Sequence, residues 1–122
     1  QRFGAEVADY VRWLTLPQEV QDEVKKKNYE AKETFQVYTM GACSSDAIRA
    51  IKIADKTSNT RALVDEPPDW SVPKIVGYAE QSRVVVRAAV MHSAGDPRIH
   101  SLAANFERQY ARVLEHYAKE TS

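Results

Sequence analysis

The chain has 122 residues, enough for one domain that buries a core of its own without disulfides or metal. Seventeen Lys and Arg balance seventeen Asp and Glu, so no global field draws the chain to polyanions, anionic membranes or acidic substrates, and a charged partner has to be met by a local patch. Cys43 is the only cysteine, which excludes an intrachain disulfide and points to a reducing, intracellular setting.

The first predicted helix runs from about Phe3 to Leu14, with Phe3, Val7, Val11 and Leu14 at helical spacing on one face. Thr15-Leu16-Pro17 then reads as a cap followed by an early proline. It opens a second helix that continues toward Met40, with acids in its first turn, and stops at Gly41. Ser44-Ser45-Asp46 offers caps for a third helix carrying Ala47, Ile48, Ile51 and Ala54. This helix either stops near Lys56 or resumes after Thr57-Ser58-Asn59 as far as Val64. Residues 65–70 hold two consecutive prolines, which delete amide donors and push the preceding residue into extended backbone, so they form a connector between two helical halves.

Ser71-Val72-Pro73 repeats the cap-then-proline device, with Trp70 placed as a hydrophobic staple. The fourth helix that follows is apolar on more than one face, through Ile75, Val76, Tyr78, Val84 to Val86 and Ala88 to Met91, which marks it as the central one. Gly95-Asp96-Pro97 closes it with a very short turn: a residue able to turn left-handed, a capping carboxylate, and a proline at the first helical position. In the fifth helix Ile99, Leu102, Ala103, Phe106, Tyr110, Val113, Leu114 and Tyr117 step by three and four.

Helices joined this tightly lie antiparallel, so the fold class is all-α, an antiparallel bundle of about five helices in one domain over residues 1–122. The alternative is an α+β fold with a small antiparallel sheet, because Arg83 to Met91 is valine-rich and Thr34 to Thr39 alternates as a strand would. The Ser-Val-Pro start and Gly-Asp-Pro stop bracket one uninterrupted segment, which favours helix.

Catalytic constellations are sparse. His92, Asp96 and His100 are the best local metal ligands, yet Asp96 is already engaged as a cap in the ordinary reading. Cys43 stands near a helix N-terminus, where thiol pKa values fall, but has no adjacent base in sequence. The four glycines are too dispersed for a phosphate-binding loop. No run approaches the ~20 apolar residues of a transmembrane helix, and the N-terminus lacks a signal-peptide pattern, so the chain reads as soluble.

Two functional expectations follow. The leading one is a non-enzymatic helical module, without cofactor or metal, that works by protein-protein contact as a structural subunit of a larger complex, or by self-association into an oligomer. Trp13, Trp70, Tyr78, Val84, Tyr110 and Tyr117 are its interface candidates. The alternative is a nucleic-acid-binding subunit: Arg49, Lys52 and Lys56 follow one helical face, and Arg83 with Arg87 and Arg108 with Arg112 form four-residue pairs that together would track phosphates. The ordinary reading of such faces is solvated charge. A small enzyme or metal site at Cys43 or at His92, Asp96 and His100 is the third possibility.

Overall fold

A computed structural model of the chain describes residues 16–27, 29–43 and 45–121. The expected Phe3 to Leu14 helix and Trp13 lie outside the described residues. Among the described residues five helices follow one another: α1 (Gln18–Lys25), α2 (Tyr29–Ala42), α3 (Asp46–Asp65), α4 (Val72–Met91) and α5 (Pro97–Thr121). The described residues contain no strand, so the valine-rich stretch 83–91 and the alternating stretch 34–39 are both helical. Helices α3, α4 and α5 pack pairwise on one another, α2 packs on α4, and α1 folds back on α2.

Each long helix starts where a cap is available. Ser45 Oγ accepts from the Ala47 amide at 3.2 Å, Ser71 Oγ from the Lys74 amide at 3.4 Å, and Asp96 Oδ1 from the Arg98 amide at 2.9 Å. These bonds satisfy donors that a helix N-terminus leaves open. Pro97 occupies the first position of α5, and Gly95 takes φ +108°, a conformation that side chains resist. Helix α3 runs unbroken to Asp65 and ends against the prolines. Pro67 has no amide to give the Leu63 carbonyl one turn back, and the buried Tyr117 hydroxyl of α5 donates to that carbonyl instead.

The expected single helix from Pro17 to Met40 is two helices. Lys27 adopts φ 66°, its amide donates to the Val24 carbonyl at 2.9 Å, and the chain reverses. Between Val24 and Ala31 only Tyr29 is apolar, and three lysines stand in succession, so a continuous helix has little reason to run through this turn. Folding α1 back lets it pack on α2 instead. Gly41 does not end α2, which continues to Ala42. The His92 ring packs on Gly41 so closely that a Cβ there would lie 3.2 Å from Nε2.

The core is centred on Ile48, Ile53, Val85, Val86, Ile99, Phe106 and Val113, all essentially inaccessible, with Met40 and Cys43 joining from the end of α2. No helix of the described residues is long and apolar enough to cross a membrane.

One polar contact fixes the bundle's lower end. The Asp46 carboxylate, at the start of α3, accepts from the Ala94 and Asp96 amides at 3.0 Å and from the Ser93 hydroxyl at 3.1 Å, so α3 holds the α4–α5 turn. Arg49 NH1 donates to the same carboxylate at 2.8 Å, and its other nitrogens reach the Met40 and Cys43 carbonyls at the end of α2. Desolvation alone would raise the Asp46 carboxyl, but the Ala94 and Asp96 amides, Arg49 and Ser93 outweigh it and hold the acid well below the usual carboxylate range.

Candidate functional site

Residues of α1, α2, α3 and α4 line a pocket of about 560 Å³ that opens to solvent on one side, the size of a small-ligand site. Its existence follows from small side chains on the helix that is otherwise most apolar. A Cβ on Gly77 would meet nothing within 4 Å, and Ser82, five residues on, adds only a small side chain to the same wall. The reversal at Lys27 sets Val24 and Lys27 across from α4.

The lining is strongly one-sided in charge: Lys27, Lys32, Lys56 and Lys74 face a single carboxylate, Glu33. Lys56 is the most telling of the four. Only 4% of it is exposed, yet among the described residues no carboxylate forms an ion pair with it. Its ammonium sits 5.5 Å from the centre of the Tyr78 ring, whose negative face offsets part of its charge. Burial, then the neighbouring Lys32 and Lys52 charges, push it down to about 8, against a smaller opposing pull from Asp55. Lys52, buried beside it on α3, is lowered by the same desolvation.

Aromatic rings hold the rest of the wall. Lys74 Nζ lies 4.6 Å over the Trp70 ring, and Trp70 meets Tyr78 with ring centres 5.8 Å apart. Trp70 thus packs on Tyr78 and Lys74, at the entry to α4, and keeps 38% of its surface exposed. Burial raises the Tyr78 phenol above its ordinary value. Ser82, next to that phenol and only 1% exposed, has an Oγ with no hydrogen bond of ordinary distance and angle. A buried ammonium without a counter-ion is costly, and an anion in the cavity would offset that cost.

The other sequence candidates are placed as follows. Arg49, Lys52 and Lys56 do share a face of α3, but all three are buried instead of standing in solvent: Arg49 turns onto the Met40 and Cys43 carbonyls at the end of α2, and Lys56 faces residues of α2 and α4. Arg83 is held by Glu107 through bonds of 3.1 and 3.2 Å and lies 4.6 Å over the Tyr110 ring, and Arg87 approaches the same carboxylate at 4.0 Å. Glu107 raises Arg83 above its ordinary value. Arg112 pairs with Asp65 at 2.8 Å, and Arg108 reaches Asn105 at 3.4 Å. Tyr110 and Tyr117 are buried, Tyr78 is half-buried in the pocket wall, and Val84 is exposed.

Among the described residues no three His, Cys, Asp or Glu side chains converge as metal ligands would. Asp96 is taken up by the Arg98 amide and guanidinium, which hold it below its ordinary value. Cys43 is 2% exposed, with its thiol directed at the Met40 and Ser45 carbonyls.

Lys27, Lys32, Lys74 and Ser82 were not legible as site residues. The available signal was the stripe Lys74, Gly77, Tyr78, Gln81, Ser82, which keeps one polar face at helical spacing within the most apolar helix. No family model, curated protein or solved structure matches the chain.

Proposed function

We propose that this chain is a non-enzymatic helical binding module that takes a small anionic ligand, or an anionic group of a partner, into the pocket between α2, α3 and α4. The observation that carries the reading is Lys56: a buried ammonium on the cavity wall with two like charges near it and no carboxylate paired with it. Such a group destabilises the empty protein, and a phosphate or carboxylate in the cavity supplies the missing charge. Lys27, Lys32 and Lys74 add charge around the same space, and Ser82 adds a hydroxyl.

The test is titration of the full chain with inorganic phosphate and with small organic phosphates and carboxylates, read by calorimetry and by amide shifts at Gly77 and Ser82. Binding that weakens with salt and is lost in Lys56→Met supports the reading. Unchanged binding in that variant, or shifts distributed away from the pocket, counts against it.

A second reading, self-association or docking within a larger assembly, draws support from Val84 and Met91, two exposed apolar side chains seven residues apart on α4. Light scattering tests it, and a strictly monomeric chain at all accessible concentrations argues against self-association. The nucleic-acid reading has less behind it, because Arg83 and Arg112 are already engaged by carboxylates and Arg49 is buried.

A further inference from the structure

We propose that Lys56 is a carbonyl-capturing amine, which forms a reversible imine with an anionic aldehyde seated in the lysine-lined cavity between α2, α3 and α4. This goes beyond binding, and it rests on the anion-binding reading only for the placement of the aldehyde.

The argument is geometric first. Lys56 lines a cavity large enough for a small ring compound, and its stem is packed so that only 4% of the residue is exposed. Lys27 beside α1, Lys32 on α2 and Lys74 on α4 surround the same space and can hold a negatively charged group while the carbonyl meets Lys56. Tyr78 and the neighbouring Ser82 bring two hydroxyls to the wall. A lysine becomes a nucleophile when it is desolvated or placed beside other cations, and Lys56 meets both conditions.

The pocket wall sets Lys27, Lys32 and Lys74 against the one carboxylate of Glu33, so the charge around Lys56 is net positive. Lys32 and Lys52 disfavour the ammonium, Asp55 opposes them weakly, and burial is the largest influence, so the amine is half free base near pH 8. An exposed lysine, with its value near 10.4, holds under about 1% of the free base there.

The chemistry balances without oxidant or reductant. The Nζ lone pair attacks the carbonyl carbon and forms the C–N bond, while the C=O π pair moves to oxygen. A proton passes from nitrogen to that oxygen, giving a carbinolamine. The nitrogen lone pair then forms C=N as the C–O bond breaks, the nitrogen gives up its remaining proton, and the oxygen leaves with that proton as water. Hydrolysis reverses each step. The imine nitrogen is much less basic than the amine, so capture removes a buried charge that the fold otherwise tolerates at a cost.

The experiment uses the full chain and pyridoxal 5′-phosphate as the probe aldehyde, at pH 8, with borohydride reduction and peptide mapping by mass spectrometry. Lys56 should be labelled roughly tenfold or more faster than exposed Lys25 and Lys26, since its free-base fraction is far higher and only part of that advantage is offset by lower basicity. Labelling should be saturable, should rise with a midpoint near pH 8, and should disappear from this peptide in Lys56→Arg and Lys56→Met without changing the slow labelling elsewhere.

Adducts distributed over the exposed lysines, with Lys56 unmodified, overturn the proposal. Phosphate titration of the same sample separates the two ideas. Phosphate binding with Lys56 unlabelled removes the imine and leaves the anion pocket. Fast labelling of Lys56 by pyridoxal and by its phosphate alike, with no phosphate binding, supports the imine and removes the anion pocket.

Discussion

Replacing Lys56 by methionine should make the chain more stable, which is unusual for a buried position. The ammonium is displaced from an ordinary 10.5 to about 8, and at ~1.4 kcal/mol per pH unit its charge costs the native state ~3 kcal/mol. Methionine keeps the length and apolar stem of lysine, while the contact with the Tyr78 ring, worth about 0.5–2 kcal/mol, is lost. The net gain is about 1–2 kcal/mol, and with roughly 4 °C per kcal/mol for a chain of this length the midpoint should rise about 4–8 °C at pH 7.

The pH dependence has a definite sign. The folded-state value lies below the unfolded one, so unfolding takes up a proton between about pH 8 and 10.5. The penalty is complete below that window, and stability rises with pH inside it. Lys52 acts in the same sense, whereas Tyr78, raised by burial, opposes it from about pH 10 upward. Thermal and urea unfolding by circular dichroism at pH 7 and pH 9 should therefore show a pH gain in the natural chain that is much smaller in Lys56→Met. A variant less stable than the natural chain at pH 7, or one with an undiminished pH gain, refutes the reasoning.

Asp46→Ala should lose about 3–5 kcal/mol, because it strands the buried Arg49 guanidinium and releases the Ala94 and Asp96 amides. The double variant Asp46→Ala with Arg49→Met should recover part of that loss, and a strictly additive result in urea unfolding would argue against the coupling. Because the Asp46 carboxyl is held below its unfolded value, its contribution is present above about pH 4 and declines on further acidification, which acid unfolding of the natural chain and of Asp46→Asn compares directly. Tyr117→Phe should cost about 1–3 kcal/mol by leaving the Leu63 carbonyl without a donor that Pro67 cannot supply, measured by urea midpoint. Gly95→Ala should cost about 1–2 kcal/mol through backbone conformation alone, since a Cβ there meets no atom within 4 Å; an unchanged melting temperature would contradict this.

The α4–α5 reversal was legible because its determinants are adjacent: Gly95, Asp96 and Pro97 each suit one position of a short turn, and each occupies it. The break at Lys27 was hidden, since lysine and glutamate are good helix formers and the only sign was a turn with little to bury. The basic stripe of α3 was visible, but its environment was not. A face at helical spacing says which residues lie together, and only the neighbouring elements, the end of α2 at Arg49 and α2 with α4 around Lys56, decide that Arg49, Lys52 and Lys56 are enclosed. The pocket has the same character: Lys32, Lys56 and Lys74 come from three helices, and no local pattern links them.

The Asp46 carboxylate also sets an order of events. Its partners Ala94 and Asp96 are 48 and 50 residues away along the chain, whereas the α4–α5 reversal needs only neighbours. Closing so long a loop has an entropic cost that local turns avoid, so the hairpin of α4 and α5 should form first and the carboxylate should dock onto it after the rate-limiting barrier. Asp46 then acts on the lifetime of the folded state more than on the speed of reaching it: its removal should appear chiefly in the unfolding limb of a chevron, with the refolding limb nearly superimposable on that of the natural chain.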